Sequence, residues 1–149
     1  MAIESPALVF EKFLRDMGLF TLPSTETTWP IYENSLPDDP KRPRNVDIAG
    51  SFDTPGVLHG KIRGGTLVQH VGVQLRLRVG LKDFQTGYSK MKNVEDTLAP
   101  LSNVTVNMAS GNSFRIANFV QTTPIVNMGQ DEDRRHHFSL NYIMAITKL

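Results

Sequence analysis

The four histidines are the first residues to consider for chemistry, because imidazole is the commonest metal ligand and a frequent general base. His136 and His137 are neighbours in a segment with strand character, so their side chains point to opposite faces and do not share one metal. His59 and His70 have no acidic residue close to them in the sequence. The spacing therefore predicts no metal site, and the chain has no cysteine to supply a thiolate ligand or nucleophile.

The run Asp131-Glu132-Asp133 is acidic enough to attract a cation, but Arg134 and Arg135 follow it directly. A calcium loop needs alternating oxygen ligands that are closed by a distant bidentate glutamate, and this run does not have that pattern. The alternation of acidic and basic residues favours a salt-bridge cluster, either in solvent or at an interface.

The sequence contains no pattern typical of a nucleophile elbow, a phosphate-binding loop, a dinucleotide-binding turn or a zinc protease. Residues 60–65 (GKIRGG) are rich in glycine and basic, but they lack the spacing of a phosphate loop and do not lead into a helix. Lys61 and Arg63 in this segment are better interpreted as contacts to a partner. We therefore expect no enzymatic activity and no cofactor.

Two helices are predicted from apolar residues at helical spacing. The first covers about residues 6–18, with Ser5 as its N-cap and Gly18 as its stop. The second covers about residues 83–99 and ends before Pro100. The apolar stripes are Ala7, Phe10, Phe13, Leu14 and Met17 in the first helix, and Phe84, Tyr88, Met91, Val94 and Leu98 in the second.

The clearest strand covers residues 71–79, where apolar and polar residues alternate strictly. One of its faces is apolar, and the other carries Arg76 and Arg78. In the last predicted strand, Ile143 and Ala145 make the second face partly apolar as well, which a strand in contact with water on that side does not require. The other predicted strands cover about residues 28–33, 45–50, 103–108, 114–120 and 136–147.

The order of these elements predicts an α+β fold, in which a largely antiparallel sheet carries two helices on one face. The opposite face must then be polar or covered by something else. Residues 53–66 contain four glycines and are predicted to form a long mobile hairpin arm. The alternative is an ordinary hairpin that continues the long strand. The 149 residues fit one domain.

The charge balance of 16 Lys+Arg against 15 Asp+Glu, net +1, is not that of a dedicated nucleic-acid-binding protein. The distribution is uneven, because five basic residues and no acidic ones lie between Asp53 and Asp83. Either a surface for a charged partner or the solvent-facing side of one hairpin explains this bias.

No apolar run reaches the roughly 20 residues that span a bilayer, and the first residues lack the basic start of a signal peptide. We therefore expect no membrane partner.

Two stretches of the chain resemble the tail terminator family of long-tailed bacteriophages, whose members are also called tail completion or minor capsid proteins. Residues 70–78 (HVGVQLRLR) resemble the central strand of that family, with Val71 in place of its proline. Residues 129–142 (GQDEDRRHHFSLNY) resemble the acidic–basic turn that leads into the final strand of the family. The helix that opens with Ser-Pro-Ala-Leu and the helix after Arg78 agree as well, so the resemblance covers nearly the whole chain.

The resemblance implies a structural virion protein whose α+β subunits assemble into a ring, typically a hexamer. Such a ring caps the tail tube, ends its polymerisation and joins the tail to the head-side neck, and genome DNA passes through its lumen without specific binding. The implied partners are further copies of the chain, the tail tube protein and a head–tail connector or stopper protein. The implied location is the tail or neck of the virion, and the host cytoplasm during assembly.

Other classes of protein remain as alternatives. One is another neck component, such as a stopper or an adaptor that binds the portal; the others are an enzyme and a monomeric binding module. In a ring, Arg76 and Arg78 are expected to pair with the acidic run of the same or a neighbouring subunit. The residues expected at subunit or partner interfaces are Lys61, Arg63, Arg76, Arg78, Asp131, Glu132, Arg134, Arg135 and Ile143.

Overall fold

The computed structural model describes residues 4–23, 29–37, 47–57, 68–80 and 84–149. These residues contain two helices, α1 (Pro6–Asp16) and α2 (Phe84–Leu98), and seven strands. The strands are β1 (Ile31–Glu33), β2 (Ile48–Val57), β3 (Gln69–Val79), β4 (Ser102–Asn107), β5 (Ser113–Gln121), β6 (Val126–Gln130) and β7 (His136–Lys148).

The strands form one sheet in the order β1-β2-β3-β7-β5-β4, and β6 pairs with β7. β1 runs parallel to β2, whereas the other pairs in the described part of the chain are antiparallel. β3 and β7 form the centre, paired from Gln69↔Ile146 to Val79↔His136. The second edge of β7 is shared, because β6 pairs with its first residues and β5 with its last ones.

Both helices pack on the same face of this sheet. α1 is tied to β2 at its first turn, where Ser51 Oγ donates to the Ala7 carbonyl at 2.7 Å and the Ala7 N–H donates to Asp53 at 2.8 Å. α2 packs against β3 and β7. The helices and strands share one hydrophobic core, whose largest fully buried side chains include Phe10, Leu14, Leu75, Leu77, Met91, Leu98, Phe138 and Leu140. The α+β fold, with a mostly antiparallel sheet and two helices on one face, is confirmed.

The first helix ends two residues earlier than predicted, at Asp16 instead of Gly18. Ser5 caps α1 as expected, because its side chain accepts a hydrogen bond from the N–H of Leu8. Gly18 has a φ of 74°, a left-handed conformation that suits glycine and stops the helix. Met17 therefore lies beyond the last turn and is 40% exposed, so its predicted place in the core is wrong.

In the first turn of α2, Gly87 faces the sheet, whereas the sequence pattern predicted Phe84 in the core. Phe84 and Tyr88 are 38% and 42% exposed, whereas Gly87 is buried. A Cβ on Gly87 would lie 2.6 Å from the Phe138 ring and 2.8 Å from the Val79 side chain. Glycine is required here because the helix backbone contacts side chains of the sheet directly.

The segment predicted as an arm begins inside the sheet. Residues 53–57 belong to β2 and pair with β3, with Val57 opposite His70. A bulge interrupts this pairing, and a Cβ on Gly56 would lie 2.2 Å from the His70 carbonyl oxygen. Gly56 therefore permits close packing of the β2 and β3 backbones. For residues 53–57 this agrees with the alternative of an ordinary hairpin that continues the long strand. The rest of the predicted arm, including Lys61 and Arg63, lies outside the described residues.

Candidate interface on the outer sheet face

The sheet face opposite the helices, which we call the outer face, is the candidate functional site. Side chains alternate between the two faces of a strand, so the pairing register fixes which residues share this face. Within the described residues, α1 and α2 both lie on the other side and leave the outer face uncovered by helix. Four rows cross it, namely Thr54–Gly72–Ile143–Val120, Phe52–Gln74–Asn141, Gly50–Arg76–Ser139–Val126 and Ile48–Arg78–His137–Gly129.

One corner of the outer face is covered by the loop segment Ser35–Pro37. Arg78 donates to the carbonyls of Leu36 at 3.1 Å and Pro37 at 2.8 Å, and is only 7% exposed. A Cβ on Gly50 would lie 2.6 Å from the Ser35 carbonyl oxygen, so glycine allows the loop to lie directly on the strand. Arg78 therefore holds this loop in place on the sheet.

Arg76 occupies the neighbouring row and remains partly exposed. Its Nε donates to Gln74 Oε1 at 2.6 Å, and its guanidinium carbon lies 4.6 Å from the centre of the Phe52 ring. The cation–π contact and the hydrogen bond fix the plane of the guanidinium group. Among the described residues, its two terminal nitrogens have no hydrogen-bond partner. They can therefore receive a carboxylate from another chain.

An apolar area adjoins these polar rows. Ile143 of β7 lies partly exposed beside Val120 of β5, which is 51% exposed. Val126 and Met128 of β6 are 37% and 51% exposed, and Met128 lies at the bulge in the pairing of β6 with β7. Neither helix covers these side chains, because both helices pack on the opposite face. The described structure thus leaves part of the outer face apolar, and of the two residues in the predicted pattern Ile143 is partly exposed whereas Ala145 is buried.

The acidic–basic run forms the tight turn between β6 and β7. Asp131 Oδ1 accepts hydrogen bonds from the backbone N–H of Asp133 at 2.9 Å and of Arg135 at 3.0 Å. Its Oδ2 accepts from Arg135 Nε at 2.9 Å and lies 2.9 Å from His137 Nε2. Arg134 has a φ of 61°, which reverses the chain. The run is therefore a salt-bridge cluster within one chain, and it organises the turn.

Two further side chains of this turn point away from the cluster. Glu132 and Arg134 are exposed, and neither side chain has a hydrogen-bond or ion-pair partner among the described residues. Because Asp131 bonds to Arg135 and His137, Glu132 is the acidic residue of the turn that remains available for another chain.

Asp131→Ala is expected to lower the free energy of unfolding by about 1–2 kcal/mol at pH 7, because the mutation removes a partly buried acceptor of several hydrogen bonds. Burial by itself raises the pKa of Asp131, but hydrogen bonds from His137 and Arg135 outweigh burial and lower the pKa from 3.8 to about 2. A depressed folded-state pKa adds stability above pH 3.8, which is lost as the pH falls towards 2.

Urea denaturation of both proteins at pH 7, 4 and 3 measures this effect. The difference between wild type and Asp131→Ala should shrink as the pH falls. The control is Asp96→Ala on α2, whose carboxyl side chain is 66% exposed, and which should change stability little at any pH. An Asp131→Ala difference of the same size at all three pH values would contradict the assigned role.

The structure thus places the predicted interface residues in two groups. Arg76, Arg78 and Ile143 share the outer face, and Asp131, Glu132, Arg134 and Arg135 form the β6–β7 turn. The two groups meet at one point, because Arg78 is paired in register with His137, which contacts Asp131. The described partners of Arg76 are Gln74 and Phe52, so Arg76 makes no ion pair with the acidic run of its own chain.

Sequence reasoning missed several residues of this surface. It did not predict β6, so the exposed side chains of Val126 and Met128 were not recognised. It also did not place Phe52 under Arg76, because these two residues meet only through the register of β2 and β3. Exposed apolar residues in an uncharged segment were the available signal for β6, but only the strand pairing shows that Val126 lies on the outer face.

The described ranges contain neither a metal-binding cluster nor a membrane-spanning helix. No group of three or more histidine, aspartate or glutamate side chains there is arranged to hold a metal ion. Nor does either described helix have the length and apolar character needed to cross a membrane.

Comparison with known proteins gives little information on this chain. No family model matches it, and no curated protein matches it. Among the solved structures that are similar to it, one has 20% sequence identity and a TM-score of 0.47, and the match covers 91% of this chain and 90% of the other. A likeness at this level carries no argument about function.

Proposed function

We propose that the protein is a tail terminator of a long-tailed bacteriophage, a structural virion protein that acts as a ring. The ring, a hexamer by resemblance, caps the tail tube, stops its polymerisation and joins the tail to the head-side neck. The observation that carries the proposal is the outer face, where exposed apolar side chains lie beside an oriented arginine and neither helix covers them.

The outer face supports self-association because exposed apolar residues that cluster on one face mark interaction sites. Ile143 and Val120 supply the apolar part, and Arg76 supplies a planar cation of the type enriched at protein interfaces. A contact between two different surfaces of identical copies is heterologous and closes into a ring when the rotation between copies allows it. In such a ring, the outer face of each subunit contacts a different surface of its neighbour.

The charge of the chain fits a conduit for DNA. A strongly basic lumen would bind the phosphate backbone with release of counterions and would retain the DNA, whereas this chain has a net charge of +1. We propose no enzymatic activity and no cofactor, since the sequence has none of the patterns those functions need. The proposed partners are further copies of the chain, the tail tube protein and a connector or stopper protein in the virion neck; assembly takes place in the host cytoplasm.

Native mass spectrometry of the 149-residue chain, with and without tail tube protein, tests the proposal. We expect a closed ring, with the mass of a hexamer of the 16.7 kDa subunit, that binds the end of the tube. A strict monomer under both conditions would contradict ring formation. A ring that binds a portal protein and not the tube would instead assign the chain to the stoppers or adaptors of the neck.

A further inference from the structure

We propose that, in the assembled protein, the β6–β7 turn of one copy docks on the outer face of the next copy, with Glu132 bound to Arg76. The inference rests on the proposed function in one respect only, since both require copies of the chain to associate. It goes further because it names the two surfaces and the charge pair that joins them.

The turn supplies a carboxylate in a fixed position. Asp131 accepts two backbone N–H groups of the turn and the Nε of Arg135, so the backbone on both sides of Glu132 is held by hydrogen bonds. Arg135 also lies 3.4 Å from the Asp133 carboxylate. The two flanking acids are thus engaged within the chain, and Glu132 projects from an ordered turn with no partner among the described residues.

The outer face supplies a matching cation. The guanidinium carbon of Arg76 lies over the Phe52 ring, 4.6 Å from its centre, and Nε donates a hydrogen bond to Gln74. This leaves the two terminal nitrogens, whose N–H groups form the part of the fork that binds a carboxylate in a bidentate manner. An arginine that is oriented before binding loses less side-chain freedom when it forms the pair.

The edge of β6 supplies the apolar part of the contact. In the described structure β6 pairs with β7 on one side only, and its sequence, VNMGQ, contains no charge. Exposed edge strands are usually protected by charged residues or proline, because their free N–H and C=O groups pair readily with other chains. Val126 and Met128 on this edge are 37% and 51% exposed.

The opposite edge of the sheet is closed in a different way. Outside β1, the Ile31 N–H donates to the Thr21 carbonyl at 3.0 Å, and the Thr21 N–H donates to the Trp29 carbonyl at 3.1 Å. The chain therefore covers the β1 edge with its own backbone and leaves the β6 edge, next to Glu132, uncovered by other described residues. β4, at the other end of the sheet, also pairs on one side only. Of these open edges, β6 is the one that leads into the turn with Glu132, so we assign the β6 edge and its turn as the inserting element.

The occupant we assign to the outer face is a second copy, because the exposed Glu132 carboxylate of the turn and the partly exposed Arg76 guanidinium of the face carry opposite charges. The turn and the face are different surfaces of the same chain, so each copy both gives and receives the contact. Such a contact is heterologous and repeats around a ring.

Charge reversal tests the pair directly. Glu132→Arg alone and Arg76→Glu alone are each expected to raise the protein concentration needed for ring formation by about tenfold or more, and the double variant is expected to restore it to near the wild-type value. Native mass spectrometry over a dilution series, with analytical ultracentrifugation, measures the change. Thermal unfolding of each variant shows that it is folded, and Arg76→Gln, which removes the charge without reversing it, should weaken assembly less than Arg76→Glu.

The matched control combines Asp96→Arg with Lys92→Glu, both on α2. Both residues are exposed, and α2 lies on the opposite face of the sheet, so the two single variants should assemble at wild-type concentrations. If wild type assembles but the single variants at Glu132 and Arg76 assemble equally well, the proposed contact is overturned and the ring remains. The same holds if both single variants weaken assembly and the double variant does not recover.

If variants at Glu132 form normal rings but no longer bind the tube, the turn docks on the tube and the contact between copies is again overturned. A wild-type chain that never associates refutes the ring itself.

Discussion

Phe138→Ala is expected to lower the free energy of unfolding by about 3–5 kcal/mol, because it leaves a large cavity in the centre of the core. Phe138 is fully buried on β7, in the central pair of strands, and its ring lies 5.2 Å from that of Phe84. It also fills the space in front of Gly87, where the α2 backbone lies on the sheet. Since a helix cannot collapse easily into such a space, the cost should lie near the upper end of the range. Urea denaturation followed by circular dichroism measures it.

Phe84→Ala is the matched control for this prediction. Phe84 contacts the same ring but is 38% exposed, so its removal should cost only about 1–2 kcal/mol. A loss for Phe138→Ala no larger than that for Phe84→Ala would mean that α2 does not pack on the sheet as described.

The class of fold could be predicted from the sequence because its main signals are local. In β3, apolar Val73, Leu75 and Leu77 alternate with polar residues, and the structure buries all three completely. In α1, the spacing of Phe10 and Leu14 predicts a helix with one buried side, and both residues are fully buried. Alternation and helical spacing depend only on neighbouring residues, so no knowledge of the tertiary contacts is needed.

The first turn of α2 shows where such reasoning fails. The sequence pattern places Phe84 and Tyr88 in the core because they are large and apolar, and a glycine inside a helix weakens the prediction of a helix. The structure instead buries Gly87, since a backbone in direct contact with Phe138 and Val79 leaves no room for a side chain. The distance between a helix and a sheet depends on how the two elements pack together, so it cannot be predicted from the residues of the helix alone.

The two arginines of β3 show the same limit at the candidate site. Their spacing correctly predicts one shared face, but their environments differ. Arg78 donates to two carbonyls of a loop that is distant in sequence, whereas Arg76 lies on Phe52 and keeps two nitrogens available. The register of β2 with β3 and the path of the Ser35–Pro37 loop decide this difference. The sequence could therefore propose an arginine interface, but not which arginine is available to a partner.

The acidic run shows how a charge pattern can serve two purposes. The sequence predicts either a salt-bridge cluster in solvent or one at an interface. The structure assigns Asp131 and Arg135 to the turn itself and leaves Glu132 exposed beside the edge of β6. The stabilising pair and the proposed interface residue thus lie next to each other, and mutations at Asp131 and Glu132 should have separable effects on stability and on assembly.

Ile143→Lys is expected to abolish ring formation while leaving the fold intact. Ile143 lies on the outer face in one row with Val120, and it is partly exposed in the single chain, so a lysine can extend into water there. In an assembled ring the same lysine would be buried against a neighbour without a partner, and an unpaired buried charge is strongly unfavourable. Native mass spectrometry at a concentration where wild type forms rings should show only monomer. Thermal unfolding should show a midpoint close to that of wild type.

Thr147→Lys is the matched control, because Thr147 lies on the same face of the same strand, beyond the apolar area and opposite Arg115. It introduces the same side chain into the sheet and should leave assembly unchanged. Loss of the ring in both variants, with normal folding, would mean that added positive charge alone prevents association. A normal ring from Ile143→Lys at the wild-type concentration would exclude this part of the outer face from the subunit interface. The outcome thus distinguishes a specific apolar contact from a general effect of charge, because both lysines add one positive charge to the same face and only Ile143 lies in the apolar area.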